Sequence, residues 1–330
     1  MREKILLIHP GYAKTGTTTL QAQFKYLDIN VLGKPAENQS KTIWFKFFKE
    51  KFFFNKYRLK TKVENYEKTK NKFKDYLKIY FNNNKKVSIY SDEGMLGPLG
   101  NHLNISNLLS FKEIIAEIQN ELNIKIKVKF ILSIRQQYDL ILSMYLYSTQ
   151  FSESMSGRDF FKKIIVSEDY KKMFDFTFLV KKINKIFNSQ ILILPLELLI
   201  NDETKYVDKF CKFAEIKNNI HNKLIHLNQN YILTDGKKKY YKKMQNHFSP
   251  IYYSGILIHH YLKKLKIYQK NFRNNTFLKK IYKHIKPKNK RVEVEENFDF
   301  YKNEIKLLYK NSNMELEKLC NVNLKEFKYY

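Results

Sequence analysis

Near the start of the chain, Ile5-Leu6-Leu7-Ile8 leads into His9-Pro10-Gly11-Tyr12-Ala13-Lys14-Thr15-Gly16-Thr17-Thr18-Thr19-Leu20-Gln21. An apolar run is followed by a glycine- and hydroxyl-rich turn and then a helical start. Those residue types in that order suit the capture of a phosphate. Backbone N–H groups converge on an anion where a helix begins, and the helix dipole favours negative charge there. Gly11 and Gly16 keep the G-x-x-x-x-G spacing of a Walker A loop, but the next residue is Thr17, where that loop needs lysine. The lysine stands inside the turn instead, at Lys14. Gly11, Tyr12, Ala13, Lys14, Thr15, Gly16, Thr17 and Thr18 are therefore candidates to hold a phosphate. They lack the lysine that reaches β- and γ-phosphates beside a metal. A Gly-Thr turn also caps ordinary helices, here with Thr15 as the cap.

A second anion site is expected around Arg135. Phe130-Ile131-Leu132-Ser133-Ile134-Arg135 reads as a strand ending in a guanidinium, and residues 136–150 read as a helix carrying Ser143. In open α/β sheets ligands lie beyond the carboxyl ends of the strands, so Arg135 is expected in the same crevice as the first turn. A guanidinium fork matches phosphate oxygens, and the Ser143 hydroxyl can complete the grip. An arginine at a strand end also serves, in other proteins, as a surface ion-pair partner.

The third group is acidic. Val87-Ser88-Ile89-Tyr90-Ser91-Asp92-Glu93-Gly94 reads as a strand delivering two carboxylates to that crevice. A carboxylate there can take the proton of an attacking hydroxyl. Glu93 is the expected base and Asp92 a turn or capping group. His102 is the reserve candidate, although a lone histidine is more often structural. A Walker B strand has the same look, which keeps a P-loop kinase using ATP and Mg²⁺ open.

These groups need a scaffold that gathers strand ends. Residues 4–9, 87–90, 127–134 and 190–194 are short apolar runs that read as buried parallel strands. Longer periodic stretches at 57–81, 108–122 and 171–187 separate them as helices, the last by its Phe174, Phe178, Ile183 and Phe187 spacing. The alternation implies an α/β fold: a P-loop-like, doubly wound parallel sheet flanked by helices, with a helical, basic C-terminal extension. No repeat or Pro/Gly/Ser-rich linker divides the chain, so residues 1–330 are expected to form one domain. Residues 236–291 stand out within it as a basic, aromatic, helical subregion. Residues 251–265 suit a basic amphipathic helix lying on an anionic membrane face, or a helix packed on the core with a solvated basic rim.

Composition narrows the partners. The 330 residues hold 61 Lys+Arg against 32 Asp+Glu, a formal net charge of +29, which favours polyanions. Hydrophobic content of 43% and aromatic content of 15% exclude a disordered chain. Cys211 and Cys320 are too few for a disulfide framework and read as packing groups in a reducing compartment. The apolar run at residues 5–8 is too short for a secretion signal, and no stretch is long enough for a membrane span. The expected location is cytoplasmic, with peripheral attachment at the inner membrane as the membrane-facing alternative.

G-Y-A-K-T-G-T-T-T-L-Q after an N-terminal strand resembles the 5′-phosphosulfate-binding loop of sulfotransferases that use 3′-phosphoadenosine 5′-phosphosulfate (PAPS), in particular bacterial members related to carbohydrate sulfotransferases. Ala13 stands where proline is common in that family. Arg135 with Ser143-Met144-Tyr145 is similar to the family's R-x-P-x-x-R-x-x-S-x-Y motif for the 3′-phosphate, with Gln137 and Leu140 as departures. Ser91-Asp92-Glu93 resembles the S-x-E that supplies the base. Weaker likenesses are the strand through Pro195-Leu196-Glu197-Leu198, in which Glu197 would anchor structure, the short segment 224–228, and the tail from Ser312-Asn313 to Tyr329.

The resemblance implies sulfuryl transfer from PAPS to a hydroxyl of a glycan or glycolipid, with a bacterial surface polysaccharide favoured. Glu93 would act as base, Lys14 would stabilise the departing phosphate, and no metal would be required. The alternatives are the P-loop kinase, which Thr17 disfavours, and a basic nucleic-acid-binding protein, for which no motif is present.

Overall fold

The computed structural model describes residues 2–12, 14–33, 63–96, 105–147, 156–218, 231–234, 237–244, 290–293 and 298–330. Ala13, His102 and the segments 224–228 and 251–265 lie outside the described residues. The chain divides into two compact units. One comprises Met1–Met144, Phe161–Asn228 and Phe298–Tyr330; the other comprises Tyr145–Phe160 and Gln229–Asn297.

The larger unit is built on a five-stranded parallel sheet of β1 (Arg2–His9), β2 (Asn30–Gly33), β3 (Val87–Ser91), β4 (Ile124–Ile134) and β5 (Ile191–Pro195). Their order across the sheet is β2-β3-β1-β4-β5, and all neighbours run parallel. The chain leaves β1 toward β2 on one side and leaves β4 toward β5 on the other. The connections therefore diverge between β1 and β4, the switch point at which open α/β sheets bind ligands.

Buried parallel strands need apolar residues on both faces, which explains the unbroken run Ile5–Ile8. None of those four side chains is more than 1% exposed. At the opposite end of β1, Lys4 is also buried, its Nζ donating to the carbonyls of Asn83 and Lys85 at 2.6 Å each. That contact satisfies an ammonium that would otherwise be costly to bury.

Around the sheet lie α1 (Thr17–Gln23), α2 (Val63–Phe81), α3 (Ile105–Leu122), α4 (Gln137–Tyr147), α5 (Gly157–Val166), α6 (Glu168–Phe174), α7 (Phe176–Phe187), α8 (Leu196–Asn201), α9 (Glu203–Ala214) and the C-terminal α10 (Phe300–Cys320). Helix α3 packs against both α2 and α7, and α7 packs against α10. Phe73, Tyr90 and Phe111 knit α2 and α3 to β3, with ring centroids 5.3 to 5.9 Å apart. On their outer rim, Lys74 joins Glu117 and Glu121 at 2.9 and 2.8 Å.

The four expected strands fall on β1, β3, β4 and β5; β2 was not expected. The single helix expected over 171–187 is two helices. Asp175 breaks it with an extended backbone (φ −85°, ψ 97°), and its carboxylate accepts the N–H of Phe178 as the cap of α7. Of the cysteines, Cys211 is buried and Cys320 half-buried, and burial pushes each thiol up to about 11.

The smaller unit contains an antiparallel sheet in the order β6-β7-β8, formed by Tyr231–Thr234, Lys237–Met244 and Lys290–Glu293. Within the stretch 236–291, expected to be helical, the described residues are thus strands. The first half of β7, Lys237–Tyr240, pairs with β6 and the second half, Tyr241–Met244, with β8, and Tyr240-Tyr241 favours a strand despite the lysines around it.

Candidate functional site: the loop after β1

The turn that follows His9 is tightly built. A Cβ on Gly11 would sit 2.5 Å from Thr17 Cγ2 and 3.3 Å from His9 Nε2, so glycine lets the returning helix pack against the turn. The Thr15 hydroxyl donates to the Tyr12 carbonyl at 2.6 Å, which closes the turn from within. Thr15 is therefore not the helix cap. That position belongs to Gly16, in the left-handed region at φ +81°, with its carbonyl accepting from the N–H groups of Thr19 (3.0 Å) and Leu20 (3.2 Å). A side chain at Gly16 would also meet Leu196 Cδ1 at 2.7 Å.

Lys14 shares the left-handed conformation at φ +73°. For an L-residue other than glycine this costs about 1–2 kcal/mol. Such strain is kept where the surrounding structure fixes it, often at a functional site. The lysine is half-buried, Thr17 buried and Thr18 exposed. Tyr12 lies beneath, 4% exposed, its ring 5.2 Å edge-on to Phe176. Its buried hydroxyl has no hydrogen-bond partner among the described residues. Burial, reinforced by the Asp175 carboxylate, holds that phenol far above its ordinary range.

A polar hub forms the floor. His9, 1% exposed, closes β1, with Nδ1 2.9 Å from Ser91 Oγ and Nε2 2.9 Å from Ser133 Oγ. Gln21 on α1 donates to the same Ser91 hydroxyl at 2.8 Å. The imidazole thus ties together the carboxyl ends of the three central strands and the helix that follows the loop. Sequence reasoning assigned none of these residues. The one signal was a polar residue at or next to the end of each apolar strand.

Arg135 follows β4 directly, and its Nη1 donates to the Lys14 carbonyl at 3.5 Å. Behind it stands Glu197, the second residue of α8. Glu197 Oε1 accepts the Gln136 N–H at 2.9 Å, and Oε2 accepts the Tyr329 hydroxyl at 2.9 Å. Burial raises this carboxyl above its usual value, against the pull of those hydrogen bonds and of Arg135. The Gln136 side chain donates to the Phe327 carbonyl at 2.5 Å. Gln137 and Asn313 exchange amide bonds at 2.8 and 3.1 Å, and Asn313 also donates to the Tyr329 carbonyl at 3.2 Å. Asn313, Phe327 and Tyr329 of the tail therefore hold that segment behind Arg135.

Of the expected site residues, the structure brings Lys14 and Arg135 together at the switch point. Ser143 is 6% exposed, in the middle of α4. Glu93 opens a 3₁₀ turn, Glu93–Leu96, directly after β3. That turn is fixed by the Asp92 N–H on the His9 carbonyl and by the Met95 N–H on the Asp92 carbonyl, each 3.2 Å. The backbone of Glu93 is thereby held next to the end of β1; its side chain lies outside the description. Among the described residues, no group of three or more His, Cys, Asp or Glu is set to hold a metal ion, and no helix is long and apolar enough to cross a membrane.

The sequence matches no family model and no curated protein. Among solved structures, the chain is similar to mouse sulfotransferase SULT7A1 complexed with PAP, at 15% identity and a TM-score of 0.37, over 86% of this chain and 90% of that one. It is also similar to a fungal RNA kinase, at 11% identity and a TM-score of 0.28, over 82% of this chain and 60% of that one. Likenesses this distant assign no role to any residue.

Proposed function

We propose that the chain is a PAPS-dependent sulfotransferase acting on a hydroxyl of a glycan or glycolipid, with a bacterial surface polysaccharide as the favoured acceptor. The observation that supports this most is the meeting of Lys14 and Arg135, 3.5 Å apart through the Lys14 carbonyl, across the switch point between β1 and β4. An arginine from the end of β4 set against the backbone of the loop after β1 suits a donor that carries phosphate at both ends. In this reading residues 11–18 hold the 5′-phosphosulfate, and Arg135 with Ser143 holds the 3′-phosphate.

Glu93 takes the proton from the acceptor hydroxyl as its oxygen forms the new bond to sulfur. The bond from sulfur to the bridging oxygen breaks in line, and adenosine 3′,5′-bisphosphate leaves with the electron pair. Lys14 and the backbone N–H groups of the loop stabilise the charge that develops on that phosphate. Residues 1–330 act as one catalytic domain, and the basic charge of the stretch 236–291 suits an anionic acceptor or an acidic membrane surface. The protein works in the cytoplasm or at the inner face of the membrane.

Binding measurements test the reading. Adenosine 3′,5′-bisphosphate and ATP are titrated by calorimetry, each with and without Mg²⁺, into wild type and Lys14→Ala. The expected result is metal-independent binding of the bisphosphate that weakens by about 1.5–3 kcal/mol in the variant. Preference for ATP with Mg²⁺ would assign the site to a kinase instead.

A further inference from the structure

We infer that Glu197 and Tyr329 are positioning residues that set the specificity of the site for a 3′-phosphate by holding Arg135. This rests on the proposed function and deepens it. Arg135 emerges between two fixed points: the Lys14 carbonyl in front and the Glu197 carboxylate behind. Both oxygens of that carboxylate are already engaged, one by the Gln136 N–H and one by the Tyr329 hydroxyl. Those two bonds fix the orientation of the carboxylate, so it acts on Arg135 by charge while the guanidinium reaches forward to the Lys14 carbonyl. Tyr329 is itself fully buried at 1% exposure, and its backbone carbonyl is held by Asn313.

The two hydrogen bonds do not by themselves call for a carboxylate at position 197. A glutamine could accept from the Gln136 N–H and donate its amide to the tyrosine oxygen without ionising in a buried place. Burial opposes ionisation at this carboxyl. What a carboxylate adds over an amide is an electrostatic hold on Arg135.

The test compares adenosine 3′,5′-bisphosphate with adenosine 5′-monophosphate, which lacks the 3′-phosphate, in wild type, Tyr329→Phe, Glu197→Gln and Lys14→Ala. Wild type prefers the bisphosphate. In Tyr329→Phe and Glu197→Gln the affinity ratio between the two nucleotides falls roughly tenfold while monophosphate binding holds, as expected for losing one hydrogen bond to a charged group. Lys14→Ala weakens both nucleotides and keeps the ratio. Glu197→Gln remains at least as resistant to urea as wild type, so the fall in the ratio is not a consequence of unfolding. An unchanged ratio in both folded variants overturns the inference and leaves the proposed function standing. Failure of both near-isosteric variants to fold also overturns it, since the latch would then be structural. A wild type with no preference for the bisphosphate removes both the inference and the reading beneath it.

Discussion

His9 Nε2 and Ser133 Oγ, 124 residues apart in the chain, meet at 2.9 Å in the floor beneath the loop after β1. The contact fixes the relative height of the ends of β1 and β4, and through them the separation of Lys14 and Arg135. Replacing His9 by phenylalanine keeps a ring of similar size but leaves two buried serine hydroxyls without it. The expected loss is about 2–4 kcal/mol, read as a lower midpoint in urea denaturation at constant slope.

Lys14 carries the strain of a left-handed backbone, whereas its charge is what the ligand would use. Lys14→Gly and Lys14→Ala should therefore part company. Both abolish tight bisphosphate binding, but the glycine variant is the more stable by about 1 kcal/mol because glycine enters that region freely. Paired calorimetric titration and urea denaturation separate the two effects.

Gly16→Ala meets a positive φ and the Leu196 side chain at 2.7 Å together. A destabilisation of about 2 kcal/mol is expected from the backbone and the crowding combined. Shortening Leu196 to alanine in the same chain should return only the crowding share, which a double-mutant cycle measures.

Glu215 gives a dated signature in acid. Hydrogen bonds from Lys129, Lys86 and Lys127 draw its carboxyl from 4.5 down to about 2. A carboxyl lowered by folding adds stability above its unfolded value, and that stability drains away as the pH falls from about 4.5 through about 2. The side chain is 38% exposed, so solvent screening limits the contribution to about 1 kcal/mol or less. Urea denaturation of wild type and Glu215→Gln should differ at pH 7 and converge near pH 2.

Glu93→Gln removes the proposed base while keeping size and polarity. Sulfuryl transfer should fall by roughly 10²–10⁴-fold with bisphosphate affinity unchanged. Turnover at the wild-type rate would move the base elsewhere.

What the sequence disclosed follows from how far each interaction reaches along the chain. Ile5–Ile8 and Phe130–Ile134 announce themselves because strands covered on both faces read as unbroken apolar runs. Asn30–Gly33 does not, since a four-residue edge strand leaves almost no period to detect. The break at Asp175 was hidden because the aromatic spacing continues in phase across it. The chemistry-bearing turn was legible through Gly11, Lys14 and Gly16, whose spacing is local. Its supports were not: Ser91, Ser133 and Tyr329 gain meaning only from partners on distant elements.

The latch behind Arg135 has a bearing on how the molecule comes into being. Its defining pairs span long stretches of chain: Glu197 with Tyr329 over 132 residues, Gln137 with Asn313 over 176, and Gln136 with Phe327 over 191. A polypeptide synthesised only as far as α9 already possesses every strand of the large sheet. Arg135 at that stage has no tail behind it. Closure over such separations is slow because chain entropy is spent before the contacts form. Assembly of the sheet thus does not depend on the segment 313–329, whereas the setting behind Arg135 is complete only once that segment has docked.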